Sequence, residues 1–205
     1  MARESRPIVK LSRREGYALH PKAHKVLVKR TGPPGQRGSF AGRTKSSQYS
    51  LQLREKQKVK RLYGLLERQF AKLMDEASRT KGQSGATLLE FLERRLDNVI
   101  YRAGFAPSRS AARQLATHGH FVLNGRRVNV PSIRLKAGDE IVLREASKKL
   151  DYFKNLDELS PAPAGFPGWL KVSRKQFKVS ITGKPARDDA EPDIKEQLIV
   201  EYYSR

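Results

Sequence analysis

The segment Phe121-Val122-Leu123-Asn124-Gly125-Arg126-Arg127-Val128-Asn129-Val130 constrains the fold of this chain more than any other. Asn-Gly between short β-branched runs is the strongest local signal for a two-residue hairpin turn, so two antiparallel strands are expected here. Gly138-Asp139 reads as a second turn, leading into a third strand at Glu140-Ile141-Val142-Leu143.

Helices are expected on both sides of residue 104. Leu88, Leu92, Leu96, Val99, Ile100 and Ala103 recur at three- and four-residue spacing, predicting an amphipathic helix from about Thr87 to Ala103 that Gly104 and Pro107 end. Ser108 reads as the N-cap of a short helix to about His118, in which Arg109 and Arg113 share a face with Gln114 beside them. The module from about Arg94 to Arg144 is thus helix, helix and a small antiparallel sheet.

Upstream, Val59, Leu62, Leu66, Phe70 and Leu73 form one apolar stripe over residues 48–78, with Arg54, Lys58 and Arg61 on a second face and Lys56 and Lys60 flanking it. Lys81-Gly82-Gln83-Ser84-Gly85 reads as a linker. Residues 1–47, rich in Gly, Pro, Ser and cations, read as a basic arm that orders against a partner. Downstream, Lys148–Leu159 is expected to be helical, and Leu170–Val172 and Lys178–Ile181 to be short strands in an irregular connection. Lys195–Tyr203 reads as a short helix that needs something to dock on.

The charge is distributed unevenly. The 205 residues carry 42 Lys+Arg against 21 Asp+Glu, a net charge of +21. Residues 1–60 hold 16 Lys/Arg and only Glu4, Glu15 and Glu55; residues 98–138 hold seven Lys/Arg and no acid. Residues 185–205 run the other way, with three basic and six acidic residues. A solvated surface mixes both signs, whereas carboxylates are excluded where phosphates must approach, so a polyanion is the expected partner. A membrane surface fits less well, because the cations span several elements rather than one cluster. No apolar run approaches the ~18 residues of a membrane span. The N-terminus lacks the apolar core of a signal peptide, and an intracellular protein is expected.

Catalysis and metal binding find little support. With no cysteine, disulfides, thiolate zinc sites, iron–sulfur clusters and cysteine nucleophiles are excluded together. His20 and His24 have helical metal-ligand spacing, but Pro21 lies between them and no third ligand is evident. Asp139-Glu140 and Asp157-Glu158 are neighbours whose side chains point apart. Gly183-Lys184 lacks the rest of a phosphate loop. His118 and His120 flank Gly119 and suit stacking or hydrogen bonding to RNA. An A-form RNA helix is read by shape, backbone and 2′-hydroxyls, a task that fits two rigid short helices with a basic hairpin lip.

These residues resemble a known family. Arg95-Leu96-Asp97, Tyr101-Arg102, Gly104-Phe105-Ala106, Ser108, Ala112-Arg113-Gln114-Leu115, His118-Gly119-His120, Val122, Asn124-Gly125, Asn129, Pro131-Ser132 and Gly138-Asp139 are similar to the RNA-binding module named after ribosomal protein S-four. That module also occurs in pseudouridine synthases, tyrosyl-tRNA synthetases and small RNA-binding proteins. Leu53–Lys58, Leu62–Phe70 and Gln197–Ser204 extend the resemblance to the bacterial-type S-four family over nearly the whole chain. The enzyme alternative rests on Arg95-Leu96-Asp97, which matches the tripeptide holding the aspartate of pseudouridine synthases. Here it falls inside the expected helix, and no large β-rich domain remains to house a reaction.

The resemblance implies an α+β fold: a mostly helical domain at 48–93 packing with 185–205, an inserted RNA-binding module at 94–157, a connection at 158–184 and an extended basic arm at 1–47. It implies a structural, non-enzymatic, cytoplasmic constituent of the small ribosomal subunit. Such a protein is a primary binder of 16S-type ribosomal RNA that grips a multi-helix junction of the 5′ domain and nucleates assembly of the subunit body. The implied partners are that RNA, protein S-five and neighbouring small-subunit proteins, messenger RNA near its path into the subunit, and no membrane; contact with S-five bears on translational accuracy. No cofactor is expected, since the four zinc-binding cysteines of some members are missing. The expected RNA-binding residues are Lys29, Arg30, Arg37, Arg43 and Lys45 in the arm and Arg54, Lys58 and Arg61 on the helix. In the module they are Arg109, Arg113, Gln114, His118, Asn124, Arg126 and Arg127. Arg113→Glu is expected to weaken RNA binding without unfolding the protein.

Overall fold

Helices and one antiparallel sheet share the chain, in an α+β arrangement. The computed structural model describes residues 4, 6–30, 32–35 and 47–204. The chain divides into two compact units, Met1–Leu88 with Asp193–Arg205, and Leu89–Pro192.

The first unit begins with α1 (Ile8–Glu15), a 3-10 turn at Pro21–Ala23 and α2 (His24–Lys29). The described part of the expected extended arm is therefore largely helical. Leu11, Leu19 and Ala23 are buried, and Ser12 Oγ donates to the Ile8 carbonyl and accepts from the Leu19 amide. Few as they are, these apolar side chains let the segment fold back on itself. His20 is committed to a cap, its Nδ1 accepting from the Lys22 amide.

The stripe over residues 48–78 is two helices, α3 (Gln48–Leu62) and α4 (Glu67–Arg79). Between them Gly64 holds φ +65°, with Gly64 N–H donating to the Arg61 carbonyl and Leu65 N–H to that of Lys60. This left-handed stop ends α3 and shifts the buried set: Val59, Leu62, Leu65, Phe70 and Met74 are buried, whereas Leu66 and Leu73 of the expected stripe are only half-buried. The last helix of the chain, α11 (Glu196–Tyr203), docks on α3. Ile199 is fully buried, Gln52 Nε2 donates to Glu201 at 2.9 Å, and the Lys195 amide donates to Glu55 at 2.9 Å.

The stretch expected as one helix from Thr87 to Ala103 is α5 (Ser84–Glu93) and α6 (Leu96–Arg102), and Ser84 opens α5 rather than lying in a linker. Arg95 is extended and bridges Arg134; the Leu96 amide donates to Ile133 and the Leu135 amide to Arg94. Pairing with residues 133–135 takes the backbone groups that would have continued the helix. α7 (Arg109–Thr117) follows, with Ser108 Oγ accepting from the Ala111 amide as its cap.

The sheet has the order β2-β1-β3-β5-β4, all neighbours antiparallel. Its strands are β1 (Phe121–Leu123), β2 (Arg126–Val128), β3 (Glu140–Leu143), β4 (Leu170–Ser173) and β5 (Lys178–Ile181). The last two, placed by sequence in a connecting segment, complete it. Asn124 (φ 48°) and Gly125 (φ 81°) make the tight turn between β1 and β2. Phe121 and Ile141 from the sheet share one buried cluster with Val99, Ile100, Ala112 and Ala116 of α6 and α7. Residues 145–159 fold as three single-turn helices, α8 (Glu145–Lys148), α9 (Asp151–Lys154) and α10 (Leu156–Leu159), rather than one. The bends between them let both Phe153 and Leu156 reach that cluster.

Candidate nucleic-acid interface

In the first unit, the basic face of α3 meets acids folded onto it. Arg54 and Arg61 both reach Glu15 of α1, Arg54 at 3.3 Å. Lys56 and Lys60 each lie 2.7 Å from Glu67, and Lys58 lies 2.8 Å from Glu55. Burial pushes the Glu15 carboxyl up and the Arg61 guanidinium down, each opposed by its partner's charge. Burial also raises Glu67, but hydrogen bonds from Lys56, Lys60 and Tyr203 overcome it and hold this carboxyl at about 2. Of the predicted α3 residues, Arg54 alone remains substantially exposed, at 38% of its side chain. Lys29 and Arg30 are exposed at the end of α2, with Lys22 and Lys25 also exposed nearby; none of the four has a carboxylate partner among the described residues. Arg37, Arg43 and Lys45 lie outside the described residues.

In the second unit, the α7 arginines point into internal networks. Arg109 donates to Asn98 Oδ1 and to Glu191, both at 3.0 Å, and lies 4.6 Å from the Tyr101 ring centre. Arg113 reaches Asp97 at 3.4 Å, and Asp97 is held at 2.8 Å by buried Arg95. Burial lowers the pKa of Arg113, against the charge of Asp97. Arg95-Leu96-Asp97 thus stands where α6 begins, with Arg95 outside the helix as its N-cap, Leu96 and Asp97 in its first turn, and Arg95 and Asp97 joined as a buried ion pair. Asn124 is equally occupied: its Nδ2 donates to Asp139 at 2.8 Å and its Oδ1 accepts from the Glu140 amide at 2.9 Å.

The remaining predicted residues are exposed. Gln114 and His118 lie at the end of α7, and Arg126 and Arg127 lie on β2, where successive side chains take opposite faces. Arg127 crosses the turn at Gly119: a Cβ there would stand 2.8 Å from its Nε, and Gly119 holds φ +70°. Arg144, just after β3, donates to the Gly119 carbonyl at 3.4 Å. The His118 and His120 rings are 6.0 Å apart, and burial, then the charges of His118, Arg144 and Arg127, push His120 down. His120 is tied by Nδ1 to Ser147 Oγ at 3.0 Å. Four nitrogen-rich side chains thus converge on one glycine, and none of them pairs with a carboxylate among the described residues. Arg144 escaped the sequence reading because Asp139, Glu140 and Glu145 place it outside the acid-free stretch. Strand alternation, with Leu143 inward, is the signal that could have found it. No group of His, Asp or Glu that could hold a metal occurs among the described residues.

Comparison with known proteins gives the family. A family model described as "Ribosomal protein S4/S9 N-terminal domain" matches residues 3–93, and one described as "S4 domain" matches residues 94–141. The chain is 49% identical over 206 residues to "Small ribosomal subunit protein uS4" of Roseiflexus castenholzii, with 100% of both chains covered. Proteins of the same name from Chloroflexus aurantiacus and Trichlorobacter lovleyi are 50% and 52% identical, again with 100% of both chains covered. With both halves matched in order and half of all positions identical from end to end, the chain belongs to the uS4 family of small ribosomal subunit proteins.

Proposed function

We propose that this chain is a primary binder of 16S-type ribosomal RNA, gripping a multi-helix junction of the 5′ domain and nucleating assembly of the subunit body. As a member of its family it is a structural component of the small subunit in the cytoplasmic ribosome, and not an enzyme. The observation that carries the binding proposal is the convergence of His118, His120, Arg127 and Arg144 on Gly119 without a carboxylate. Phosphates approach such a surface with counterion release, and a rigid helix–turn–strand corner reads the shape of a junction rather than its bases.

The residues that touch RNA are, in this reading, Gln114, His118, Arg126, Arg127 and Arg144 in the second unit and Lys29, Arg30 and the exposed part of Arg54 in the first. Arg37, Arg43 and Lys45 join them in the basic stretch. Arg61, Lys58, Arg109, Arg113 and Asn124 support them by fixing the elements that carry the contacts. Protein S-five, its effect on translational accuracy, and messenger RNA near its path into the subunit belong to the same proposal through the family relationship.

The test is affinity for a transcript of the 5′-domain junction against an equal-length duplex, over a salt series passing through about 0.15 M. A large preference for the junction that survives physiological salt is expected, with both affinities falling as salt rises. Equal and steeply salt-dependent binding would instead make the chain a generic RNA chaperone.

A further inference from the structure

We propose that Glu15 is a positioning residue for RNA binding: this acid, in a strongly basic region, strengthens RNA affinity by fixing the cationic helix α2. The proposal rests on the RNA-binding reading above and adds to it the surface Lys22, Lys25, Lys29 and Arg30.

Little apolar packing holds this segment. Among its described residues the fully buried apolar side chains are Leu11, Leu19 and Ala23, with Ile8, Val9, Val26 and Leu27 half-buried, too few to orient three short elements by themselves. α1 supplies the rest as a bracket with two polar ends. Arg13 donates from Nε to the Gly32 carbonyl at 3.1 Å and from Nη2 to the Pro33 carbonyl at 3.2 Å, gripping the chain just past α2. Two residues on, and so on another side of the helix, Glu15 takes Arg54 and Arg61 of α3. The Glu15 side chain is wholly buried, and Arg61 is 5% exposed. An ion pair this enclosed is geometrically demanding, and removing one partner leaves a buried charge uncompensated.

What the bracket positions has the chemistry of a phosphate-binding face. Lys25 and Lys29 are one helical turn apart on α2, Lys22 lies three residues before Lys25, and Val28 between them is 83% exposed. Without the bracket these cations would still attract a polyanion, but each of them would have to order its own backbone on binding. Net charge alone makes the opposite forecast, because deleting an acid from a basic region should tighten RNA binding.

The test is a double-mutant cycle on the full chain, using the 5′-domain transcript as probe. Lys25→Gln with Lys29→Gln should weaken binding about tenfold and flatten the plot of log affinity against log salt by about 2, one for each phosphate no longer neutralised. Glu15→Gln should weaken binding about fivefold with a flatter salt dependence, and the lysine changes should then cost much less than they do alone. Unchanged or tighter binding by Glu15→Gln, or full additivity of the two lesions, would overturn the proposal. A general loss of stability lowers the active fraction without altering the salt slope, and so would also count against it. If Glu15→Gln does not fold, Glu15→Asp replaces it and must show the same coupling at smaller size. Failure of the unaltered protein to prefer the junction would sink the RNA-binding reading itself, whereas preference with no effect of Lys25 and Lys29 sinks only this one.

Discussion

Arg127 lies across Gly119, with its Nε 2.8 Å and its Nη2 3.0 Å from where a Cβ would stand. The two residues come from different elements, and the absence of a side chain at one lets the guanidinium of the other settle beside the His118–His120 turn. Gly119→Ala is therefore expected to do two things. Forcing alanine to φ +70° costs about 1–2 kcal/mol of stability. The displaced Arg127 loses about 1 kcal/mol of RNA binding, or about fivefold in Kd. Thermal melting and titration with the 5′-domain transcript read the two effects separately, and an unchanged Kd would remove Arg127 from the interface.

Arg113 and Arg127 should part company under the same substitution. Arg113→Glu places a carboxylate against Asp97, which Arg95 already holds in a buried pair, so about 3 kcal/mol of stability should be lost. The sequence reading, with Arg113 on an open helix face, gives no reason to expect that cost. Arg127→Glu sits on an exposed strand, should change stability by no more than about 0.5 kcal/mol, and should weaken RNA binding about tenfold or more. Urea melts of the two variants make the comparison direct.

Asn124 gives a test of structure against contact. Its side chain makes two hydrogen bonds, to Asp139 and to the Glu140 amide, and its backbone sits at φ 48°. Asn124→Ala should cost about 2 kcal/mol. RNA affinity measured well below the melting temperature should stay within about twofold, whereas a large drop there would return Asn124 to the contact surface.

The Glu67 cluster sets an acid limit on the first unit. This carboxyl is held at about 2 against an ordinary 4.5, by Lys56, Lys60 and Tyr203 acting against burial. A lowered carboxyl pKa stabilises the fold above the ordinary value, and that contribution is lost as pH falls through 4.5 towards 2. The stability gap between the unaltered protein and Glu67→Gln should be constant above about pH 5 and close towards about pH 2. Because Glu67 is half exposed, solvent screening keeps the gap small. A gap that widens on acidification would contradict the pairing.

The features legible in the sequence are local ones. Asn124-Gly125 dictates its hairpin because the turn needs two residues that tolerate positive φ. Ser108 caps α7 because its hydroxyl has an orphan amide three residues away. The acid-free stretch of residues 98–138 marks the basic surface without any knowledge of the fold. Helix breaks at Gly64 and Arg95 were hidden because the apolar period runs straight through them, and in the second case the breaking partner lies far downstream, at Arg134.

Which cations remain free for a ligand depends on long-range packing. Glu15 takes Arg61 from 46 residues away, and Glu191 takes Arg109 across 82. On a helical wheel Arg61 and Arg109 are indistinguishable from a phosphate-binding arginine, because periodicity assigns a face but not what folds against it. Coulomb attraction depends on distance in space, and only the folded chain brings those carboxylates near. Composition and local pattern are enough to make the protein basic, α+β and built around a hairpin. Folding decides which cations of the described residues stay unpaired, among them Arg127 and Arg144 at Gly119 and Lys25 and Lys29 on α2.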